Sequence, residues 1–547
     1  MQYDVTSVTD RGLAQLANRL LKPSLFFMAC ISFLMTGILA TVCAGQKDLI
    51  SDSGKPFYFG VYIYDYRLRE LAREKGKKVE QLLDEEMTNI SNKGVNAIYL
   101  TVSRPEYFNA YEKIAAKHCI KLIPQLEFVY FQEKWSEREM DDKARLAGKF
   151  MQQHKDSPQV LAWSVREEIP QKDVFKLARY YSKIRAYAPD AKFNLVHSDI
   201  RAARDQPVPY PHIEGTDRYG FWWEFSGGGY LASPSFALNW SRDQFSIFHE
   251  EAAKHGADFM AVITQGGLAL PAYAQKYGNG PIGSEVSEKE RQLYFKIREF
   301  AKDGRMGWKR FTTDKGPRYN VWKYYRLPKN CMKALAWSAV MEGARSFFCW
   351  AYWPFTKTEL GLDFKSSAIS GGQDEAYLWT LADRPGKPNP QLDEFAESAR
   401  EIRQYEKIIT SMQKVPDSPV HCIEKDFYNR AFVFPGLTGK VIVLHNANVG
   451  TWPANSANFF KDTDPIYIDD DGNLVGYKAF HNEMVVNCNI TAQANGTYLF
   501  DIVSFKQLPS HNGAYTTSIK PGSGKLLYFG NEEDARKLHD MVIRNTL

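Results

Sequence analysis

Between residues 57 and 410 the chain repeats one unit: a short apolar run, then a stretch with helical spacing. The runs 57–66, 95–102, 120–130, 160–170, 192–198, 212–221, 257–265 and 346–353 carry Val, Ile, Phe and Tyr and read as eight strands. Amphipathic stretches at 79–93, 106–118, 141–154, 172–188, 242–255, 331–343 and 391–410 read as helices between and after them. Strands joined by crossover helices must run parallel, because a parallel neighbour is reached only by carrying the chain back along the sheet. Eight such units over this length predict a closed (β/α)8 TIM barrel at 57–412 rather than an open sheet. No glycine-rich phosphate loop follows the first strand, which argues against a nucleotide-binding sheet.

After residue 411 the pattern changes. Short strands at 420–424, 431–434, 440–446, 466–469, 484–489, 497–504 and 525–529 alternate with Gly, Asn, Asp and Pro, and a helix at 532–544 closes the chain. That spacing predicts an antiparallel β-sandwich at 413–547. Asp469–Asn473 reads as a hairpin turn rather than a calcium loop. The fold class expected is therefore α/β, a barrel followed by a sandwich.

At the N-terminus, Arg11, Arg19 and Lys22 precede an apolar run at 25–44 that ends in small residues. Residues 1–45 read as a signal peptide or an uncleaved membrane anchor, and 46–56 as a linker. The body of the protein is then expected outside the cytoplasm, with no membrane contact other than that anchor. A net charge of +5 is small for 547 residues and does not suggest nucleic acid. No Cys/His spacing suggests zinc, so no metal or organic cofactor is expected. Beyond the targeting segment five cysteines remain, and Cys422 and Cys488 both fall in the sandwich, where a pairing stays open.

The fourth strand carries the chemistry. In residues 160–170, alternation puts Leu161, Trp163 and Val165 on an outer, apolar face and Ala162, Ser164, Arg166 and Glu168 on an inner face that ends ionic. Parity sends Glu167 outward. Pro170 then ends the ladder, having no N–H to give it. Barrel enzymes build their sites at the C-terminal strand ends. Those ends supply Asp65, Glu127, Glu167, Glu168, Asp217, Tyr219, Gln265, Trp350 and Trp353, and the loop after strand six adds Trp222 and Trp223. Several carboxylates among aromatics suit glycoside hydrolysis: one carboxyl protonates the leaving oxygen, and a second acts as nucleophile or base. The aromatics suit stacking on sugar rings. Basic and aromatic residues at 308–326 would suit an anionic polysaccharide.

The stretch 162–170, Ala-Trp-Ser-Val-Arg-Glu-Glu-Ile-Pro, resembles the fourth-strand pattern of the large clan of barrel glycosidases, in which Trp opens the strand and Asn-Glu-Pro or Asp-Glu-Pro ends it. Asp217-Arg-Tyr219 and Gln265 resemble motifs after strands six and seven in secreted barrel proteins of that type. The resemblance implies a glycosidase-like barrel with Glu168 as general acid and a carbohydrate substrate. It departs from the clan where Glu167 replaces Asn and where Gln265 stands in place of the nucleophilic glutamate. Three readings stay open: another carboxylate, Asp217 first, is the partner; the substrate supplies its own nucleophile; or the barrel binds glycan or other chains without cleaving anything.

Overall fold

The computed structural model describes residues 56–220, 234–264, 266–269, 306–313, 316–353, 381–384, 387–388, 390–451, 476–490, 497–511 and 514–546. The expectations for residues 1–45, Trp222, Trp223, Gln265 and 469–473 lie outside the described residues. Residues 56–547 pack as one unit.

Seven parallel strands form one sheet: β1 (Tyr58–Ile63), β2 (Ala97–Val102), β3 (Lys121–Leu126), β4 (Asn194–His197), β5 (Ile213–Thr216), β6 (Asp258–Thr264) and, further along the chain, the strand Ser346–Trp350. Their order across the sheet is β3, β2, β1, Ser346–Trp350, β6, β5, β4. The sheet's two edges are joined by residues 160–165. Val160 and Ser164 bridge Leu122 and Gln125 of β3, and Trp163 bridges Phe193 just before β4. That eighth stave closes the sheet into a barrel, which removes both free edges. All eight expected staves are present in the expected order.

Differences from the sequence reading are local. The first strand stops at Ile63, and α1 (Asp65–Glu74) starts two residues later. The stretch after β6 holds an antiparallel sheet of β7 (Gly266–Ala269), β8 (Met306–Thr313) and β9 (Gly316–Arg326), with β9 in the middle. This sheet springs from the C-terminal end of β6, the site end of the barrel.

Two layers of apolar side chains hold the barrel. Tyr62, Tyr99, Ile123, Val196, Met260, Val262 and Phe348 fill its interior. Their strand neighbours Val61, Ile98, Leu122, Leu195, Ala261 and Phe347 face out under the helices. The alternation is that of strands buried on both sides. Beyond residue 411 a six-stranded and a four-stranded antiparallel sheet pack face to face. In the strand Lys440–Asn446, Ile442 and Leu444 enter the sandwich core while Val441 and Val443 join the barrel's outer core. The helix Cys331–Met341 lies at this junction with all eleven residues buried. Its sequence is apolar all round, as a helix covered on every side must be. Just past it, fully buried Glu342 meets Lys414 at 2.5 Å and Arg430 at 3.2 Å, tying barrel to sandwich.

Candidate active site

The fourth stave departs from simple alternation, and that departure builds the site. Leu161 packs against the interior cluster, whereas Trp163 and Val165 lie in the outer core. The outer face expected for Leu161 is thus corrected to an inner one. Arg166 turns away from Glu168. Its guanidinium meets Glu133 at 2.6 Å and lies over the Tyr130 ring. It is therefore not the partner of Glu168.

The expectation that Glu167 faces outward is also corrected. Its backbone N–H donates to the Tyr130 hydroxyl at 3.0 Å. Its carboxyl turns into the barrel toward the hydroxyls of Tyr62 and Tyr99, two interior residues whose rings stack at 4.2 Å. Glu168 follows at φ 49°, in the left-handed region that costs an ordinary side chain energy. This twist breaks the period of two, so consecutive glutamates can both serve the barrel mouth. The Glu168 N–H donates to the Val196 carbonyl at 2.9 Å, anchoring the turn to β4. Its side chain is exposed, and among the described residues no Lys or Arg forms an ion pair with it.

Asp217 sits just past β5 and its carboxyl contacts that of Glu168. Its buried Oδ1 has no donor among the described residues. Burial, then the Glu168 charge, then their hydrogen bond hold the Asp217 proton well above the usual carboxylate range. Burial and the Glu168 charge push Glu167 up to about 8. Glu127 is an exposed residue; crowding around its carboxyl and then the Asp65 charge raise its proton affinity, while a 2.6 Å hydrogen bond from the Gln125 amide opposes this. Glu127, Glu167, Glu168 and Asp217 thus form an arc along one side of the mouth, from the end of β3 to the end of β5.

Aromatic side chains form the neighbouring wall. Tyr219 stacks on Trp350 at 5.9 Å with planes 10° apart, and Trp350 Nε1 donates to the Tyr64 hydroxyl at 2.8 Å. Both rings pack on the interior cluster. Trp353 is elsewhere, buried in the outer core against Tyr352. Asp65 is also apart: it is buried, and its carboxylate accepts from the Ser103 N–H at 2.9 Å and the Ser103 hydroxyl at 2.6 Å. It pins the start of α1 to the end of β2 rather than facing the mouth.

Tyr62, Tyr64, Tyr99 and Tyr130 are site residues that the sequence reading did not single out. Their signal was present for Tyr62 and Tyr64, which alternate on the inward face of the first strand.

No protein-family model matches the chain, and no curated protein does. Among solved structures, an Anoxybacillus alpha-amylase is similar at a TM-score of 0.42 and 8% identity, over 87% of this chain and 98% of that one. A GH2 beta-galacturonidase from Eisenbergiella tayi bound to galacturonate gives 0.36 and 11%, over 63% and 51%. A Ruminococcus gnavus b-glucuronidase in complex with D-glucaro-d-lactam gives 0.34 and 11%, over 63% and 49%. These are glycoside hydrolases at low identity. The barrel described above rests on the chain's own strand pairings and stands without them.

Proposed function

We propose that the protein hydrolyses glycosidic bonds in a poly- or oligosaccharide at the barrel mouth, outside the cytoplasm. The observation that carries this reading is the contact of the exposed Glu168 with Asp217, whose proton burial and the Glu168 charge retain, beside the Tyr219–Trp350 wall. Glu168 is the exposed member of the pair and delivers the proton to the leaving oxygen; Asp217 holds that proton when the site is empty. Hydrogen-bond contact brings the pair closer than the ~5 Å of retaining carboxylates or the ~6.5–9.5 Å of inverting ones. Asp217 therefore acts with Glu168 rather than across the sugar from it. Glu127, at the far end of the arc, is the remaining candidate for the second carboxylate, as nucleophile or through a water. The basic residues that the sequence carries at 308–326 favour an anionic substrate.

One observation favours a second reading. With Glu167 and Asp217 both holding protons above the ordinary range, the mouth is also suited to bind sugar hydroxyls without cleaving them. Reducing-end release from a panel of neutral and uronic polysaccharides, measured beside calorimetric binding to the same panel, separates the two. Product formation abolished by Glu168→Gln supports hydrolysis. Binding with no product from any panel member supports the second reading.

A further inference from the structure

The sandwich contains a pair of thiols in disulfide register. The strand Val420–Cys422 is an edge strand only three residues long, antiparallel to Met484–Ile490, and Cys422 stands directly opposite Cys488. The hydrogen-bond pattern identifies the kind of pair. The Cys422 N–H donates to the Asn429 side chain at 3.1 Å and not to Cys488, while the next residue, Ile423, donates to the Asn487 carbonyl at 3.2 Å. Cys422 and Cys488 are therefore a non-hydrogen-bonded pair. Such pairs hold their Cα atoms ~4.5 Å apart with side chains turned together. That spacing falls inside the ~4.4–6.8 Å range a disulfide spans. The two side chains interact directly, Cys488 fully buried in the sandwich core and Cys422 partly exposed at its edge. An oxidant can thus reach one sulfur, which needs no backbone movement to reach the other. Cys331 and Cys349 are buried in the barrel's core and Cys119 lies on its surface; none of them is in either sandwich sheet.

We infer that Cys422 and Cys488 form a cross-strand disulfide that fastens the sandwich's short edge strand to its neighbour. The reaction joins the two sulfurs, releases two protons and passes two electrons to a disulfide oxidant such as oxidised glutathione, which leaves as two thiols. Closing the segment 423–487 restricts the unfolded chain and so stabilises the fold.

The test uses the full-length protein equilibrated in equal reduced and oxidised glutathione, alkylated under denaturing conditions and mapped by mass spectrometry. The expected result is a peptide pair linked through Cys422 and Cys488, lighter by two hydrogens, at more than about nine-tenths occupancy. Thermal melting supplies the second readout. Cys422→Ser should lower the Tm by several degrees without reductant and leave it unchanged relative to wild type in dithiothreitol. Both thiols fully alkylated, a link from Cys422 to any other cysteine, or equal melting of variant and wild type without reductant would each overturn the inference. None of these outcomes depends on whether the barrel cleaves glycans.

Discussion

Glu167→Gln offers the sharpest physical test of the site's electrostatics. Burial and the Glu168 charge hold the Glu167 carboxyl neutral up to about pH 8, against an ordinary 4.5. In the unfolded chain the same group ionises near its ordinary value. Between pH 4.5 and 8 the folded state therefore binds the extra proton, and stability falls as pH rises. The full difference corresponds to about 5 kcal/mol at ~1.4 kcal/mol per pH unit. Solvent at the partly exposed edge of Glu167 screens this to roughly 3 kcal/mol. Gln keeps the shape and removes the titration. The variant should match wild type near pH 4.5 and melt roughly 3 °C higher by pH 8. Scanning calorimetry of both proteins at half-unit pH steps measures the growing gap. Parallel curves, with the gap constant from pH 4.5 to 8, would refute the claim that Glu167 is buried neutral beside Glu168.

Further outcomes follow from the same contacts. Glu168→Gly should fold and gain ~0.5–1 kcal/mol, because glycine accepts φ 49° without strain, yet it should release no product from any glycan; a loss of stability on urea titration would contradict the backbone account. Glu342→Ala leaves Lys414 and Arg430 without their buried partner and should cost ~2–4 kcal/mol, seen as a lower denaturation midpoint. Trp350→Ala removes the ring stacked on Tyr219 and the donor to Tyr64. It should raise KM for oligosaccharides at least about tenfold, a stacking loss of ~1.4 kcal/mol; an unchanged KM would place the sugar elsewhere.

Much of the barrel was legible in the sequence because burial on both faces forces apolar strands, and crossover helices force their parallel order. Boundaries moved where a polar residue changed role: Asp65 reads as the end of the first strand but starts α1, held by Ser103. The site was legible as a set of carboxylates, since Glu127, Glu167, Glu168 and Asp217 all sit at strand ends. Their orientation was not. Parity assumes a regular strand, whereas the fourth stave touches its neighbours only through isolated bridges, and the left-handed turn at Glu168 resets the alternation. Leu161 turns inward where the stave is held only by isolated bridges, and Glu167 turns inward beside the left-handed turn. Trp350 and Trp353 look equivalent in sequence. The strand ends at Trp350, so Trp353 is free of its parity and packs on Tyr352. Tyr99 and Tyr130 gave no signal, because a tyrosine on a buried strand reads as core until its hydroxyl is seen to face a carboxyl.

Initial rates of reducing-end release by wild type and Glu168→Gln, on whichever glycan of the panel wild type cleaves, bear most directly on the proposed acid role of Glu168. The account predicts a fall of at least about a hundredfold in kcat, the usual scale for removing a general acid, with KM and Tm close to wild type. Undiminished turnover by a folded Glu168→Gln would contradict it.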